Sequence, residues 1–350
     1  MNSRERVFTA LDHNKTDRLP MNYQGVPEIT EALIRKTGVN NKEELLQLFG
    51  IDFRRIGGYM LHYIPPSKLD GEGYRRNMWG VRYKDEDGGE QSASAIPPFN
   101  SETNMDDILA FPWPTADALD FSWIKDECMK YKDTYVVYGS PWAPFFHEAG
   151  WMVGQENFFV WMHTKPDLIR KIIDKIVDYE IAATRKYLEA SDGMIDITYF
   201  GNDFGTQRGL FISPEFFLKF IREPLKRFYN VSRDFGCRVM QHSCGSIESI
   251  IPGLVEDGVT IIDPIQVGAS GMKLANLKSN FGSSITFHGG IDTQKLLPYG
   301  TVHEVRKEIK KLRKLFLESG GYIINGSQEY MTDIPLDNVL AIYDENKKCS

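Results

Sequence analysis

The sequence predicts an α/β fold, specifically a (β/α)8 TIM barrel with a long insertion after its second strand. Three observations point there. Short apolar runs bounded by turn residues recur eight times along the chain. Segments of helical periodicity separate most of them. Such alternation implies parallel strands joined by helical crossovers, and eight repeats suit a closed barrel better than an open sheet.

Taken in order, the first strand is expected at RLPMNY (18–23) and the second at GIDFRRIG (50–57). Residues 58–133 then form one long excursion. Within it, RRNMWGVRYKDEDGGEQSASAI reads as a β-hairpin turning at Asp87-Gly88, and AFPWP (110–114) marks a loop. The third strand is expected at TYVVYGS (134–140). Leu168, Ile172, Ile176 and Tyr179 recur at helical spacing before the fourth, MIDITYFG (194–201). The next helix has Ser213 as a good N-cap, Pro214 as a good first residue, and Pro224 as an expected kink. CRVMQHS (237–243), VTIIDP (259–264) and SITFHGG (284–290) follow. A helix capped by Thr301 and stopping at Gly320-Gly321 leads to the eighth strand, GYIINGS (321–327). No internal repeat or linker interrupts the chain, so residues 1–350 are expected to be a single domain.

Composition narrows the function. The chain is 350 residues long, 42% apolar and 25% charged, with a net charge of −7. That balance argues against a general nucleic-acid or anionic-membrane binder. The charged opening lacks the apolar run of a signal peptide, and no stretch approaches the ~18 apolar residues of a membrane span. Cys128, Cys237, Cys244 and Cys349 are too scattered for a disulfide framework. The expectation is a cytoplasmic protein with reduced thiols. A homodimer is expected on general frequency alone.

In a barrel the chemistry collects where the strands end. Those ends carry Tyr23 and Gln24, then the segment holding Trp142, Phe146, His147 and Trp151, then Asn202 and Asp203. His242 and Cys244 follow, with Asp263, His288, Asp292, Gln328 and Glu329. A floor of His, Cys, Asp and Glu beneath aromatic walls suits a small-molecule enzyme site. Each element also has a plainer reading. His242-x-Cys244 supplies two of the ligands a zinc ion takes, or a hydrogen-bonded His beside a core Cys. Asp203 can simply bond loop amides, and Asp263 can organise a turn before Pro264. The aromatic segment can be packing, and Arg54 and Arg55, which could hold an anionic substrate, more simply form surface ion pairs.

Several segments resemble the uroporphyrinogen decarboxylase superfamily: SRERVFTALDHNKTDRLP, SPEFFLKFIREPLKRF, QHSCG, HGGID and GGYIINGSQEYMTDIPLDNV. The resemblance runs nearly the whole length and implies a (β/α)8 barrel. It also implies one of two chemistries: cofactor-free decarboxylation of uroporphyrinogen, or zinc-assisted methyl transfer involving a corrinoid. The decarboxylase carries Arg-Gln-Ala-Gly-Arg-Tyr after its first strand, whereas this chain has MNYQGVPEI. Where the decarboxylase ends its second strand with an essential Asp, this chain has Gly57-Gly58. Its late histidine is replaced by Gln328.

The methyltransferase branch is similar at His242 and Cys244, which match its His-x-Cys zinc ligands. Its third ligand, a late Cys, corresponds to Gln328, with Glu329 and Asp203 as carboxylates able to substitute. The resemblance therefore implies metal binding at His242 and Cys244, with Asp203, His288 and Glu329 as candidate catalytic groups. Tyr23, Trp142, Phe146, Asn202, Gln207, Asp263, Asp292 and Gln328 are the candidate substrate contacts. The implied cofactors are zinc and a corrinoid carried by a partner protein, docking near the excursion and the aromatic segment. The implied substrate is a small methylated compound or a thiol. Two alternatives stay open: a cofactor-free lyase using Asp203, His288 and Asp292, and a non-catalytic corrinoid or substrate binding protein.

Overall fold

The structure, a computed structural model, describes residues 1–59, 61–87, 89 and 92–348. Its centre is a curled sheet of seven parallel strands. These are β1 (Phe53–Arg55), β4 (Val136–Tyr138), β5 (Ile197–Gly201), β6 (Arg238–His242), β7 (Ile261–Ile265), β8 (Thr286–Gly289) and β9 (Tyr322–Ile323), lying side by side in that order. β4, β5, β7 and β8 are buried along their full length, which is why they read as continuous apolar runs rather than alternating ones.

The expected first strand is not regular. Met21 forms a single parallel bridge to Ile324, with the Asn22 amide donating to the Ile324 carbonyl at 2.9 Å. On the other side, the Asp52 amide donates to the Met21 carbonyl at 2.9 Å. Two local causes prevent a longer ladder. Pro20 has no N–H to give, and the Met21 N–H is diverted to the Asp52 carboxylate at 2.9 Å.

A two-stranded hairpin, β2 (Arg75–Arg76) with β3 (Arg82–Tyr83), lies between β1 and β4. It turns at Asn77–Gly80, ahead of the expected position, because the Asn77 side chain accepts the amides of Trp79 and Val81 at 3.0 and 2.9 Å. Arg82 also bridges to Ile96, around the expected Asp87-Gly88 turn, but Gly88 lies outside the described residues.

Helices cover the sheet. Pro166–Ala190 buries Ile169, Ile172, Ile173 and Ile176. Each such side chain contributes about 1.5–3 kcal/mol. Ser213 caps the next helical segment through the Phe216 amide. The distortion expected from Pro224 takes the form of a π-helical turn at Phe217–Ile221, just ahead of helix Arg222–Asp234. Thr301 caps Val302–Phe316 with a capping box to Glu304, and that helix ends before Gly320. None of the described helices is long and apolar enough to cross a membrane.

The opening motif has a structural task. Arg6 reaches Asp17 at 2.6 Å and Asp52 at 2.7 Å, while Arg18 reaches Asp52 at 2.8 Å. Asp52 is fully buried just before β1. The two guanidiniums and the Met21 amide satisfy its charge and tie the N-terminal helix to the sheet.

Candidate functional site

Register places the site. Gly201 of β5 pairs with His242 of β6, which pairs with Asp263 of β7, so three adjacent strands present one layer at their C-terminal ends. Gly201 must lack a side chain there, because a Cβ would lie 1.8 Å from the Trp142 indole. The indole therefore reaches over the layer, 5.0 Å from the His242 ring and 4.9 Å from Tyr199. The loop carrying Trp142 turns through Ala143, held at φ 54° while its carbonyl accepts from the Asn202 side chain at 2.9 Å.

Beyond the strand ends, the loops bearing Asp203 and Cys244 cross almost in contact. Gly245, at φ 80°, explains the glycine behind the cysteine: a Cβ would lie 2.4 Å from the Gly205 carbonyl carbon. The Ser246 amide donates to Thr206 at 2.8 Å, and the Cys244 amide donates to Asp203 Oδ1 at 2.8 Å. This crossing brings the Asp203 carboxylate, His242 Nε2 and Cys244 Sγ together, all within 4.8 Å of one another. His242 Nε2 lies 3.4 Å from Asp203 Oδ1 and 3.5 Å from Cys244 Sγ.

The other face of His242 is anchored. Its Nδ1 bonds Asp263 Oδ2 at 2.7 Å. Tyr199 donates its hydroxyl to that same oxygen, and His288 Nδ1 bonds Asp263 Oδ1 at 2.5 Å. The tautomer of His288 follows from its neighbours. The Tyr23 amide donates to Asn22 Oδ1 at 2.8 Å, which turns the Asn22 NH2 group toward His288 Nε2 at 3.1 Å. Nε2 accepts, so Nδ1 carries the proton given to Asp263.

Burial works to raise the Asp263 carboxyl, but the His288 and His242 rings outweigh it and hold it below the ordinary carboxylate range. Burial likewise opposes ionisation of Asp203, and His242 reverses the effect. For His242, burial favours the uncharged ring, yet Asp203, Asp263 and Cys244 raise it well above the usual imidazole value. Burial lifts the Cys244 thiol, with His242 partly offsetting it.

The expected site residues divide clearly. Asp203, His242, Cys244, Asp263, Gln328 and Trp142 come together, with Gln328 Nε2 donating to Cys244 Sγ at 2.8 Å. His288 lies beneath, fully buried behind Asp263. Glu329 stays outside the cluster, accepting from the Tyr59 hydroxyl at 3.1 Å. Asn202 is a peg: it accepts the Phe146 amide at 3.0 Å and holds the Ala143 carbonyl.

Four further positions depart from the expectation. The Phe146 ring is core, packed on Phe158 and Phe204, because the helix starting at Phe145 turns it inward. Tyr23 turns into an aromatic core with Phe49, Tyr330 and Tyr343, its hydroxyl tied to Thr30 at 2.8 Å. Asp292 accepts the Gln294 amide at 2.8 Å and organises a turn away from the cluster. Gln207 is exposed, and its carbonyl accepts from the Ser270 amide.

Sequence reasoning missed Tyr199 and undervalued Arg55. Tyr199 lies two residues before Gly201, so period-two alternation puts it on the same inward face. Arg54 does pair with Glu43 at 2.8 Å, but as a buried guanidinium rather than at the surface. Arg55 instead lies 3.8 Å over the Tyr59 ring, and its buried Nη2 has no hydrogen-bond partner. A cavity of about 300 Å³ opens beside the cluster, lined by Tyr59, Tyr63, Trp142, Trp151, Asp203 and Glu148 among others. Its volume suits a small ligand.

A curled parallel sheet whose C-terminal edge gathers a thiol, an imidazole and two carboxylates beside such a cavity defines an enzyme of the α/β class. The family profile described as uroporphyrinogen decarboxylase (URO-D) matches residues 122–349, more than half of the chain, and the chain belongs to that family. Among solved structures, a methyltransferase from Methanosarcina mazei shares the fold with a TM-score of 0.62. The match covers 99% of this chain and 98% of that one, at 17% identity. No curated protein sequence matches.

Proposed function

We propose that this protein transfers a methyl group between a small methylated substrate, or a thiol, and a corrinoid carried by a partner protein, with zinc held at the Asp203–His242–Cys244 cluster. In this reading the sheet closes as a (β/α)8 barrel through the Met21 segment, and the ring of strand ends forms an open mouth that a protein-borne corrinoid can approach.

One observation carries the reading: carboxylate, imidazole and thiol atoms lie within 4.8 Å of one another, with Asp263 orienting the imidazole from behind. A carboxylate on the far nitrogen of a ligating His is the usual support for a bound metal. The donor set fits zinc, which takes N, S and O ligands and in catalytic sites leaves one position for substrate. When bound, zinc would supply Lewis acidity, polarising the heteroatom that bears the methyl group or holding a thiol as thiolate.

The protein's own residues do the rest. Asp263 fixes the ring so that Nε2 faces the cluster, and Gln328 steadies the sulfur through its amide. Trp142 roofs the layer and keeps water from it. Asp203 belongs both to the cluster and to the cavity wall, so a substrate in the cavity meets the cluster at Asp203.

The test is direct. Protein purified without chelator or a metal-binding tag is expected to hold one zinc more per chain than the Cys244→Ser, His242→Ala double variant. With a methyl donor and a reduced corrinoid protein, the parent is expected to produce methyl-cobalamin absorbance. Equal metal content in parent and variant, and no methyl-cobalamin with any donor class, would refute the proposal.

A further inference from the structure

A second cluster lies along the wall of the same cavity. His62 follows β1, Glu148 sits on helix Phe145–Val153, and Glu180 sits on helix Pro166–Ala190. Glu180 takes a place on the apolar stripe of its helix, in register with Ile173, Ile176 and Ala183. The carboxylates are fully buried and His62 is 2% exposed. His62 Nε2 lies 3.3 Å from Glu148 Oε1 and 3.6 Å from Glu180 Oε1, and the three ligand atoms fall within 4.8 Å of one another.

The polar atoms of this cluster are poorly satisfied. Both Glu180 oxygens, Glu148 Oε2 and His62 Nδ1 are buried without a hydrogen-bond partner. Among the described residues, the ion pairs of both carboxylates run only to His62. Burying one uncompensated carboxylate costs several kcal/mol, and two side by side add mutual repulsion. A single imidazole can offset at most one of the two charges. A divalent cation would offset both and give the unpartnered oxygens a centre to coordinate.

We propose that His62, Glu148 and Glu180 bind a divalent transition-metal ion, distinct from the ion proposed at Cys244. One imidazole nitrogen with two carboxylates is a mixed donor set, suited to zinc or manganese and unsuited to soft ions such as Cu(I). His62 and Glu148 line the cavity, which gives the ion a route in and room for a water ligand. The bound ion would clamp the segment after β1 to two helices and stiffen that part of the cavity wall. The competing occupant is a proton shared between the carboxylates, since burial first and then Glu148 push the Glu180 carboxyl well up.

The experiment uses the whole chain carrying Cys244→Ser and His242→Ala, so that the first cluster cannot contribute. It is stripped with chelator, reloaded separately with Zn2+ and Mn2+, and its metal counted per chain by plasma mass spectrometry. One ion per chain is expected, and its loss when Glu180→Gln, a near-isosteric change, is added. In the otherwise unmodified protein, Co2+ is expected to show ligand-field bands that survive Cys244→Ser while thiolate charge-transfer absorption disappears. If Glu180→Gln does not fold, the stripped and reloaded double variant decides alone. No ion taken up there, or uptake unchanged by Glu180→Gln in folded protein, overturns the proposal in favour of the shared proton. None of these outcomes depends on methyl transfer at the first cluster.

Discussion

Gln328 donates its side-chain amide to the Cys244 sulfur at 2.8 Å, taking the place where the resemblance implies a third thiolate ligand. An N–H donor stabilises a thiolate without neutralising it, so the position supports Cys244 rather than replacing a ligand. Removing such a support around a metal typically costs about 10–100-fold in affinity. Gln328→Ala is therefore expected to weaken zinc binding by about that factor, read by competition with a chromophoric chelator. Gln328→Cys is expected to tighten it. If both variants bind zinc as the parent does, the amide has no part in holding the site.

Asp263 ties the site to the interior of the sheet. It receives His242, His288 and Tyr199 on two oxygens, and those partners bring in Asn22. Asp263→Asn keeps the shape but puts an NH2 group where an acceptor is needed. It is expected to release the His242 ring and lower zinc affinity by about 10–100-fold. In chelator-treated protein the same variant should make Cys244 less reactive toward iodoacetamide, because the ring that partly offsets the burial of its thiol is released. Unchanged affinity together with unchanged thiol reactivity would mean that Asp263 does not set the position of the ring.

The parts of this site that were legible in the sequence are those fixed by strand ends. Asp203 follows β5, His242 ends β6 with Cys244 just beyond it, and adjacent parallel strands in register bring these ends together. Asp292 and Tyr23 follow strand ends too, yet they turn away. Asp292 is drawn into its own turn by the amides of Gln294 and Lys295. Tyr23 is rotated because Met21 spends its N–H on Asp52, which breaks the expected first strand. The first diversion is a local turn, whereas the second depends on a carboxylate remote in sequence and leaves no local pattern. Glu180 did leave one, a carboxylate on the apolar stripe of a long helix, but its partners His62 and Glu148 are remote in sequence. The Gly201 contact with Trp142 is equally invisible before the loops are placed.

The charge state of His242 predicts opposite pH trends with and without metal. Burial alone would lower it, but Asp203, Asp263 and Cys244 raise it well above 6.5. A raised histidine adds stability that is fully present below its unfolded value and lost as pH rises through the folded one. Asp203 and Asp263 are depressed below 3.8, so their contribution is present above that value and lost only in strong acid. Chelator-treated protein is therefore expected to lose thermal stability as pH rises above about 6.5. Metal binding must displace the His242 proton, so zinc affinity is expected to rise over the same range. Melting temperatures measured with chelator and with zinc, between about pH 6 and about pH 9, check both slopes. Parallel slopes would show that His242 is not the proton the metal displaces.

Asp52 separates stability from function. Its buried carboxylate holds Arg6 at 2.7 Å and Arg18 at 2.8 Å, and it accepts the Met21 amide that pins the irregular first segment. Breaking a buried pair by removing one partner costs about 3–5 kcal/mol, because the remaining charges lose their compensation. Asp52→Asn keeps one acceptor oxygen but leaves both guanidiniums without their shared charge, so a loss near the lower end of that range is expected from denaturant unfolding. The Asp203–His242–Cys244 cluster lies at the opposite ends of the strands, since Asp52 precedes β1 whereas the cluster follows β5 and β6. Folded Asp52→Asn protein should therefore keep the parent's metal content. The prediction fails if metal is lost while the fold is retained. That result would mean the N-terminal clamp sets the geometry of the strand ends, and that the opening motif serves the site as well as the fold.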